Sequence, residues 1–367
     1  MAHGRISRLS VHDVRFPTSL SGHGSDAMHT DPDYSAAYVI IETDAEDGLK
    51  GYGITFTLGK GTEVAWSRER CSASGHGSHS ECCVGPVGKA GRKELCFPEE
   101  QMLRHGYPAY TTSCAWLGYS DSTLKQLCAA ALKDGWTRFK VKVGADLQDD
   151  IRRCRLLRDM IGPEKTLMMD ANQCWDVPEA VEWMAKLAEF KPLWIEEPTS
   201  PDDILGHAAI SKALAPLGIG VATGEQCHNR VIFKQLLQAN ALQFLQIDSC
   251  RLGSVNENLS VLLMAKKFGI PVCPHAGGVG LCELVQHLII FDYISVSASL
   301  QNRMCEYVDH LHEHFKYPVV IKHASYLPPK DAGYSTEMKE ESVKKHQYPD
   351  GEVWKKLLVA QDLCVQP

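Results

Sequence analysis

The sequence predicts an α/β protein, a parallel β/α barrel of the TIM-like kind preceded by a small antiparallel cap. Three observations predict it. From Tyr107 to Ser297, strand-like and helix-like runs alternate through eight β/α units. Six successive strand-like runs carry or lead into an ionisable side chain: Lys142, Asp170, Glu196, Glu225, Asp248 and His275. Ahead of them, three runs of period two read as a meander. An open doubly wound sheet is the runner-up; it would want a Gly-rich phosphate turn after its first strand, and none is there.

Composition bounds the function. The chain has 367 residues, enough for one large domain and a smaller one. Its net charge is −7, with no basic block, which argues against nucleic acid as a partner. No apolar run approaches a membrane span, and no signal-peptide core is present, so no membrane partner is expected. Arg5, Arg8 and two serines precede the first acidic residue, Asp13, a faint transit-peptide character in residues that also alternate like a strand. Fourteen cysteines without a secretory signal read as reduced thiols in an intracellular protein.

The elements follow in order. Arg5 to Pro17 alternates apolar and polar residues, a strand with room for a bulge. Ser35 to Asp44 and Tyr52 to Leu58 are two more strands, joined through a hairpin signal at Asp47-Gly48. The loop LSGHGSDAMHTDPDY, between the first two strands, mixes glycine hinges with His, Asp and Tyr groups suited to a polar ligand.

Residues 65–100 interrupt this pattern. They are rich in Gly, Ser, Cys and Arg and keep neither a helical nor a strand period, which predicts disorder. Cys71, His76, His79 and Cys82 crowd any zinc ligands together and lack two separated knuckles. Gly85 to Gly91 fails as a phosphate loop, because Ala90 follows Lys89 and the leading glycine is missing.

From Tyr107 the pattern is regular. Strands are expected at Pro108–Ser113, Phe139–Val143, Leu167–Asp170, Leu193–Glu196, Ile219–Thr223, Leu245–Asp248, Pro271–His275 and Tyr293–Ser297. Helices are expected at Asp121–Lys133, Asp149–Ile161, Ile204–Leu214, Arg230–Ala239, Val255–Phe268 and Leu281–Phe291. A further helix opens on an Asp176/Glu179 capping box with Pro178 in its first turn. The chain thus divides into a meander (1–64), the anomalous segment (65–100), the barrel (101–325) and a C-terminal segment (326–367) whose Val353, Trp354 and Leu357 return to the cap.

A lone strand-end Asp is often a helix cap, and a lone His is often a satisfied core residue. Six such groups gathered at one barrel mouth repel unless a cation or ligand is present. Asp170, Glu196 and Glu225 offer oxygen ligands for a hard dication such as Mg²⁺. Lys140 and Lys142, two apart on a strand, share a face, and a lysine beside another cation has a lowered pKa suited to a base. His275 is placed to act on the other side, with Asp248 fixing its tautomer. The chemistry this suggests is removal of a proton next to a carboxylate.

These motifs, KVK at Lys140 to Lys142, DAN at Asp170, EEP at Glu196, GE at Glu225 and the Asp248/His275 pair, resemble the enolase superfamily in its mandelate racemase-like branch. More narrowly, GHGSDAMHTDPDYSAAY, YTTSCAWLGYSD, QIDSCRLGSVNE and CPHAGGVGLCE resemble the L-fuconate dehydratases. The resemblance implies Mg²⁺ on Asp170, Glu196 and Glu225, Lys142 and His275 as the acid/base pair, and Lys140 and Glu306 near the substrate. It places Gly24, Ser25, Asp26 and Tyr34 in a specificity loop, and Glu197 beside the ligand set. It implies conversion of L-fuconate to its 2-keto-3-deoxy product in the mitochondrion, with the cytoplasm as the alternative compartment. Lys142 would take the C2 proton and His275 would protonate the leaving 3-hydroxyl, or the reverse. A small-molecule sugar acid is the expected partner, and a homo-oligomer is compatible with the sequence.

Two departures matter. Family members carry a helical stretch between meander and barrel, where residues 65–100 stand here, so the cap is expected to be incomplete. Cys174 stands where relatives carry Arg. The competing readings are a racemase or another sugar-acid dehydratase, and a catalytically silent isoform that keeps the barrel.

Overall fold

The computed structural model describes residues 5–30, 32–58, 97–331 and 333–364. Of the segment 65–100, expected to be disordered and without a zinc or phosphate site, residues 65–96 lie outside these residues; the expectation is corrected at 97–100, which open the helix Phe97–His105, with Glu99 and Glu100 in its first turn.

The meander consists of β1 (Ile6–Phe16), β2 (Tyr34–Thr43) and β3 (Lys50–Leu58). All pairs are antiparallel, and the register of β1 slips between Ile6 and Arg8, the bulge that its long run left room for. Alternation buries Val14, Phe16, Tyr34, Ala36, Tyr38 and Phe56 and leaves Ile6 and Leu9 exposed.

The parallel strands are β4 (Tyr107–Thr111), β5 (Arg138–Lys142), β6 (Thr166–Asp170), β7 (Trp194–Glu196), β8 (Gly220–Thr223) and β9 (Phe244–Leu245), hydrogen-bonded in sequence order. Residues 271–275 continue the order, with Val272 bridged to Leu245 and the His275 N–H donating to Ile247. The expected eighth strand, Tyr293–Ser297, is corrected by the structure: Asp292–Ser297 is a π-helical extension of helix Leu281–Phe291. The strand in that place is β10 (Cys305–Tyr307), parallel to β4, with the Glu306 N–H donating to Pro274 O. These bonds link the two ends of the parallel run.

The helices between strands start where their caps dictate. Asp146 accepts from Asp149 N at the head of Leu147–Ile161, and Asp176 accepts from Glu179 N at the head of Val177–Leu187, each at 2.8–2.9 Å. Inside the ring, Tyr110, Met168, Trp194, Ala222, Phe244, Cys273 and Met304 form one apolar layer. Side chains repeat on a strand face every two residues. That layer therefore puts Asp170, Glu196, His275 and Glu306 one level above Met168, Trp194, Cys273 and Met304.

The C-terminal segment returns to the meander. Trp354 Nε1 donates to Arg15 O at 2.9 Å, the Tyr348 N–H donates to Asp13 O at 2.8 Å, and Thr336 Oγ1 donates to Tyr52 O at 3.0 Å. The Phe16 ring packs 4.6–4.7 Å from the His314 and His346 rings. Among the described residues, no helix is long and apolar enough to cross a membrane.

Candidate active site

Strand register assembles the mouth of the barrel. Lys142 lies opposite Asp170, and Asp170 opposite Glu196. Glu225 follows β8 across Gly224, whose φ of +131° and approach to Gln246 O leave no space for a Cβ. Lys140, Lys142, Asp170, Glu196, Glu225, Asp248, His275 and Glu306 are all buried.

Lys140 is the centre of the cluster. Its Nζ lies 2.5 Å from Glu196 Oε1, 2.9 Å from Glu306 Oε1 and 3.1 Å from Asp170 Oδ2. Lys142 Nζ donates to Asp170 Oδ2 at 2.6 Å and to Asn172 Oδ1 at 2.9 Å. Burial works against both ammonium groups, but the facing carboxylates outweigh it and hold both lysines above their ordinary pKa. This corrects the expectation that neighbouring cations lower the Lys142 pKa: Asp170 at contact distance outweighs Lys140.

The carboxylates divide in the same way. Burial would raise Asp170, yet Lys142 and Lys140 bring it below the ordinary value. Burial and the Asp170 charge push Glu196 up to about 8. Glu306 is lowered, because Lys140 and His275 overcome its burial. Glu306 also accepts from Thr112 Oγ1, and from the Ala276 N–H at 3.2 Å.

On the far wall, His275 Nδ1 meets Asp248 Oδ2 at 2.8 Å. This leaves Nε2 facing Glu225 Oε2 at 3.6 Å and Glu306 Oε2 at 3.5 Å. Burial opposes the imidazolium, but the Glu225, Glu306 and Asp248 charges prevail and raise its pKa. Arg251 shares the same Asp248 oxygen and reaches Glu225 Oε1 at 3.2 Å. Phe56, from β3 of the meander, lies over Arg251 at 5.2 Å and beside His275 at 6.1 Å.

The residues expected from the first loop also reach the site. Gly24 (φ +80°) sits so close to the Tyr34 hydroxyl that no Cβ fits. Asp26 Oδ1 caps its own turn, accepting from the Met28 and His29 N–H groups at 2.8 and 2.7 Å. Ser25 instead ties the loop to the barrel: its Oγ accepts from Gly118 N at 2.9 Å and its carbonyl from Leu117 N at 3.1 Å. Gly24, Asp26, Tyr34, Lys142, Glu225, His275 and Glu306 line one cleft. Ser25, Lys140, Asp170, Glu196 and Asp248 stand behind that lining.

Phe56, Trp116, Asn172 and Arg251 belong to the site and were not singled out from the sequence. Asn172 stands inside the DAN motif and Phe56 on the buried face of β3, so both had a signal; Trp116 and Arg251 lie in loops with no period.

The donor set suits a hard cation. Six buried carboxylates, Asp170, Glu196, Glu197, Glu225, Asp248 and Glu306, face Lys140, Lys142 and Arg251, with His275 as the fourth cation when protonated. Glu197 Oε1 is buried without a hydrogen-bond partner. Burial, then Glu225 and Asp170, hold the Glu197 carboxyl well above its ordinary pKa. Asp170 and Glu196 converge on Lys140, whereas Glu225 faces Arg251 and His275. Among the described residues, no three His, Cys, Asp or Glu side chains already stand at metal-binding spacing. An all-oxygen set with excess negative charge and an orphaned carboxylate oxygen fits a Mg²⁺-like ion.

Residues 123–342 match the family model described as "Enolase C-terminal domain-like". The chain is 68% identical to mitochondrial enolase superfamily member 1 of Bos taurus, over 98% of this chain and all of the relative. That match runs over 444 positions against 367 residues here, so the relative carries residues with no counterpart in this chain. It is 42% identical to an L-galactonate dehydratase of Hypocrea jecorina, over 95% of each chain. Among solved structures, human mitochondrial enolase superfamily member 1 superposes with a TM-score of 0.89 at 68% identity, over 97% of this chain and 99% of that one. A racemase from Streptomyces coelicolor A3(2), crystallised with bound magnesium, has the same fold at 24% identity, with a TM-score of 0.72 over 94% of this chain and 100% of that one.

Proposed function

This chain belongs to the enolase superfamily, among its sugar-acid dehydratases, and from that premise we propose that it is a Mg²⁺-dependent hydro-lyase converting L-fuconate to 2-dehydro-3-deoxy-L-fuconate and water. The observation that carries the reading is the cleft itself. Lys142 and His275 line one cavity, with Glu225 and Glu306 between them, so two proton-transfer groups can reach one small substrate.

Asp170, Glu196 and Glu225 would hold the ion. Bound there, Mg²⁺ would supply a Lewis acid for the substrate carboxylate and a positive charge that would compete for Asp170, the group that holds the Lys142 proton. Lys142, once its ammonium has released a proton to solvent, takes the proton from C2. The electrons of that C–H bond form the C2–C3 double bond as the C3–O bond breaks. His275 Nε2 gives its proton to the departing hydroxyl, which leaves as water, and the resulting enol tautomerises to the 2-keto acid. The raised His275 pKa favours this acid role, and Asp248 keeps Nδ1 engaged so that Nε2 faces the cleft. Lys140 and Glu306 form the charged floor, and the Gly24–Asp26 turn with Tyr34 forms the distal wall.

L-galactonate, the substrate in the name of the 42% identical relative, is L-fuconate with one added 6-hydroxyl. The shared stereocentres support this substrate class. The names of the mammalian relatives support a mitochondrial location.

The test is turnover of L-fuconate and L-galactonate with Mg²⁺, read as formation of the 2-keto acid. L-fuconate should be the better substrate; scrambling at C2 without loss of water would indicate a racemase. One observation favours a second reading, a silent isoform: the relatives carry residues absent here, and the cap is the part expected to lack them. Intact Mg²⁺ binding with no turnover of any sugar acid would support that reading.

A further inference from the structure

Trp116 lines the cleft and is 3% exposed, and among the described residues its indole N–H meets no acceptor. A tryptophan N–H can only donate, and leaving it buried and unpaired is unfavourable. The backbone around the ring is tied on both sides. Arg153 Nη2 donates to Trp116 O at 3.0 Å and to Ala115 O at 3.1 Å, and the Lys142 N–H donates to Ala115 O at 3.2 Å. On its other side, Leu117 and Gly118 bond to Ser25 of the first loop. The backbone that carries the indole is thus held at the seam between cap and barrel, with Lys142 Nζ 5.4 Å from the ring centre.

We propose that Trp116 is a substrate-binding residue whose indole N–H donates to an oxygen of the sugar acid, at the end of the molecule handled by Lys142 rather than at C6. The proposal rests on the sugar-acid reading above.

The test is calorimetric binding of L-fuconate with Mg²⁺, in a His275→Asn background that holds the substrate without turning it over. Trp116→Phe keeps the ring and loses the donor, and should weaken affinity roughly 10-fold. Trp116→His, which restores a ring N–H, should recover part of the loss. L-galactonate, which differs only at C6, should lose the same factor. Equal affinity of Trp116→Phe and its parent overturns the inference alone. A loss confined to L-galactonate overturns the placement near Lys142. A parent protein that binds neither sugar acid overturns the functional reading and this inference with it.

Discussion

Lys140→Met tests the electrostatics of the site most directly. The substitution removes one buried ammonium from three carboxylates, at 2.5 Å from Glu196, 2.9 Å from Glu306 and 3.1 Å from Asp170, all at most 2% exposed. Removing one partner of a buried pair typically costs about 3–5 kcal/mol, because the remaining charge has neither water nor counter-ion. The fold has one way to limit that cost: Glu196, already pushed up to about 8, can take a proton. An acid whose folded pKa lies above its unfolded one adds stability at low pH and loses it as pH rises to the folded value. The destabilisation should therefore be smallest near about pH 5 and approach the full range near about pH 8.5. Mg²⁺ should raise the stability of both proteins, by about 2.7 kcal/mol for an ion at 100 times its Kd. The assay is urea unfolding of wild type and variant in EDTA and in Mg²⁺ at both pH values. A loss below about 1 kcal/mol in EDTA at the higher pH would refute the argument, as would a loss that does not grow with pH.

Four further outcomes are expected. Glu196→Gln should weaken Mg²⁺ binding by calorimetry, and EDTA should abolish turnover; unchanged Mg²⁺ affinity would remove Glu196 from the ligand set. Lys142→Ala and His275→Asn should each lower turnover on the order of 10²–10⁴-fold while leaving Mg²⁺ binding largely intact, and exchange of the C2 proton with deuterium should survive only in the variant that retains the base. Trp354→Ala should cost about 3–5 kcal/mol in chemical denaturation, because it removes a largely buried ring and its bond to Arg15 O; a cost below about 1 kcal/mol would show that the C-terminal segment does not brace the meander. The His312 ring nitrogens face Glu283 Oε1 at 2.7 Å and Val308 O at 2.6 Å, so both carry protons, and Glu283 raises the His312 pKa against its burial. A histidine with a raised folded pKa stabilises below its unfolded pKa, and the gain disappears as pH rises through the folded value. His312→Gln should therefore lower the melting temperature more near about pH 6 than near about pH 9, and an equal drop at both would contradict the pairing.

Much of this molecule is written in local pattern. A strand alternates its faces whatever surrounds it, so FKVKV places Lys140 and Lys142 together, and the carboxylates at the ends of the runs at 170 and 196 mark one rim before any contact is known. The Asp146 and Asp176 caps are equally local, since each bonds an N–H three residues away. Other features depend on contacts between distant residues. Tyr293 to Ser297 alternates like a strand but winds as a π-turn, because it continues the preceding helix and packs Tyr293 and Ser297 inward. The strand in its place, Cys305–Tyr307, is three residues long, too short to show a period, and exists because β4 is there to pair with it. The proton affinity of Lys142 likewise differs from what its chain neighbour Lys140 alone predicts. Only the folded register brings Asp170 within 2.6 Å, and a contact ion pair outweighs both burial and a like charge two residues away. Phe56 from the meander, Trp116 from the β4 loop and Arg251 from the loop after Asp248 share the cleft region for the same reason: their positions are set by packing between segments far apart in the chain, and no window of sequence contains that information.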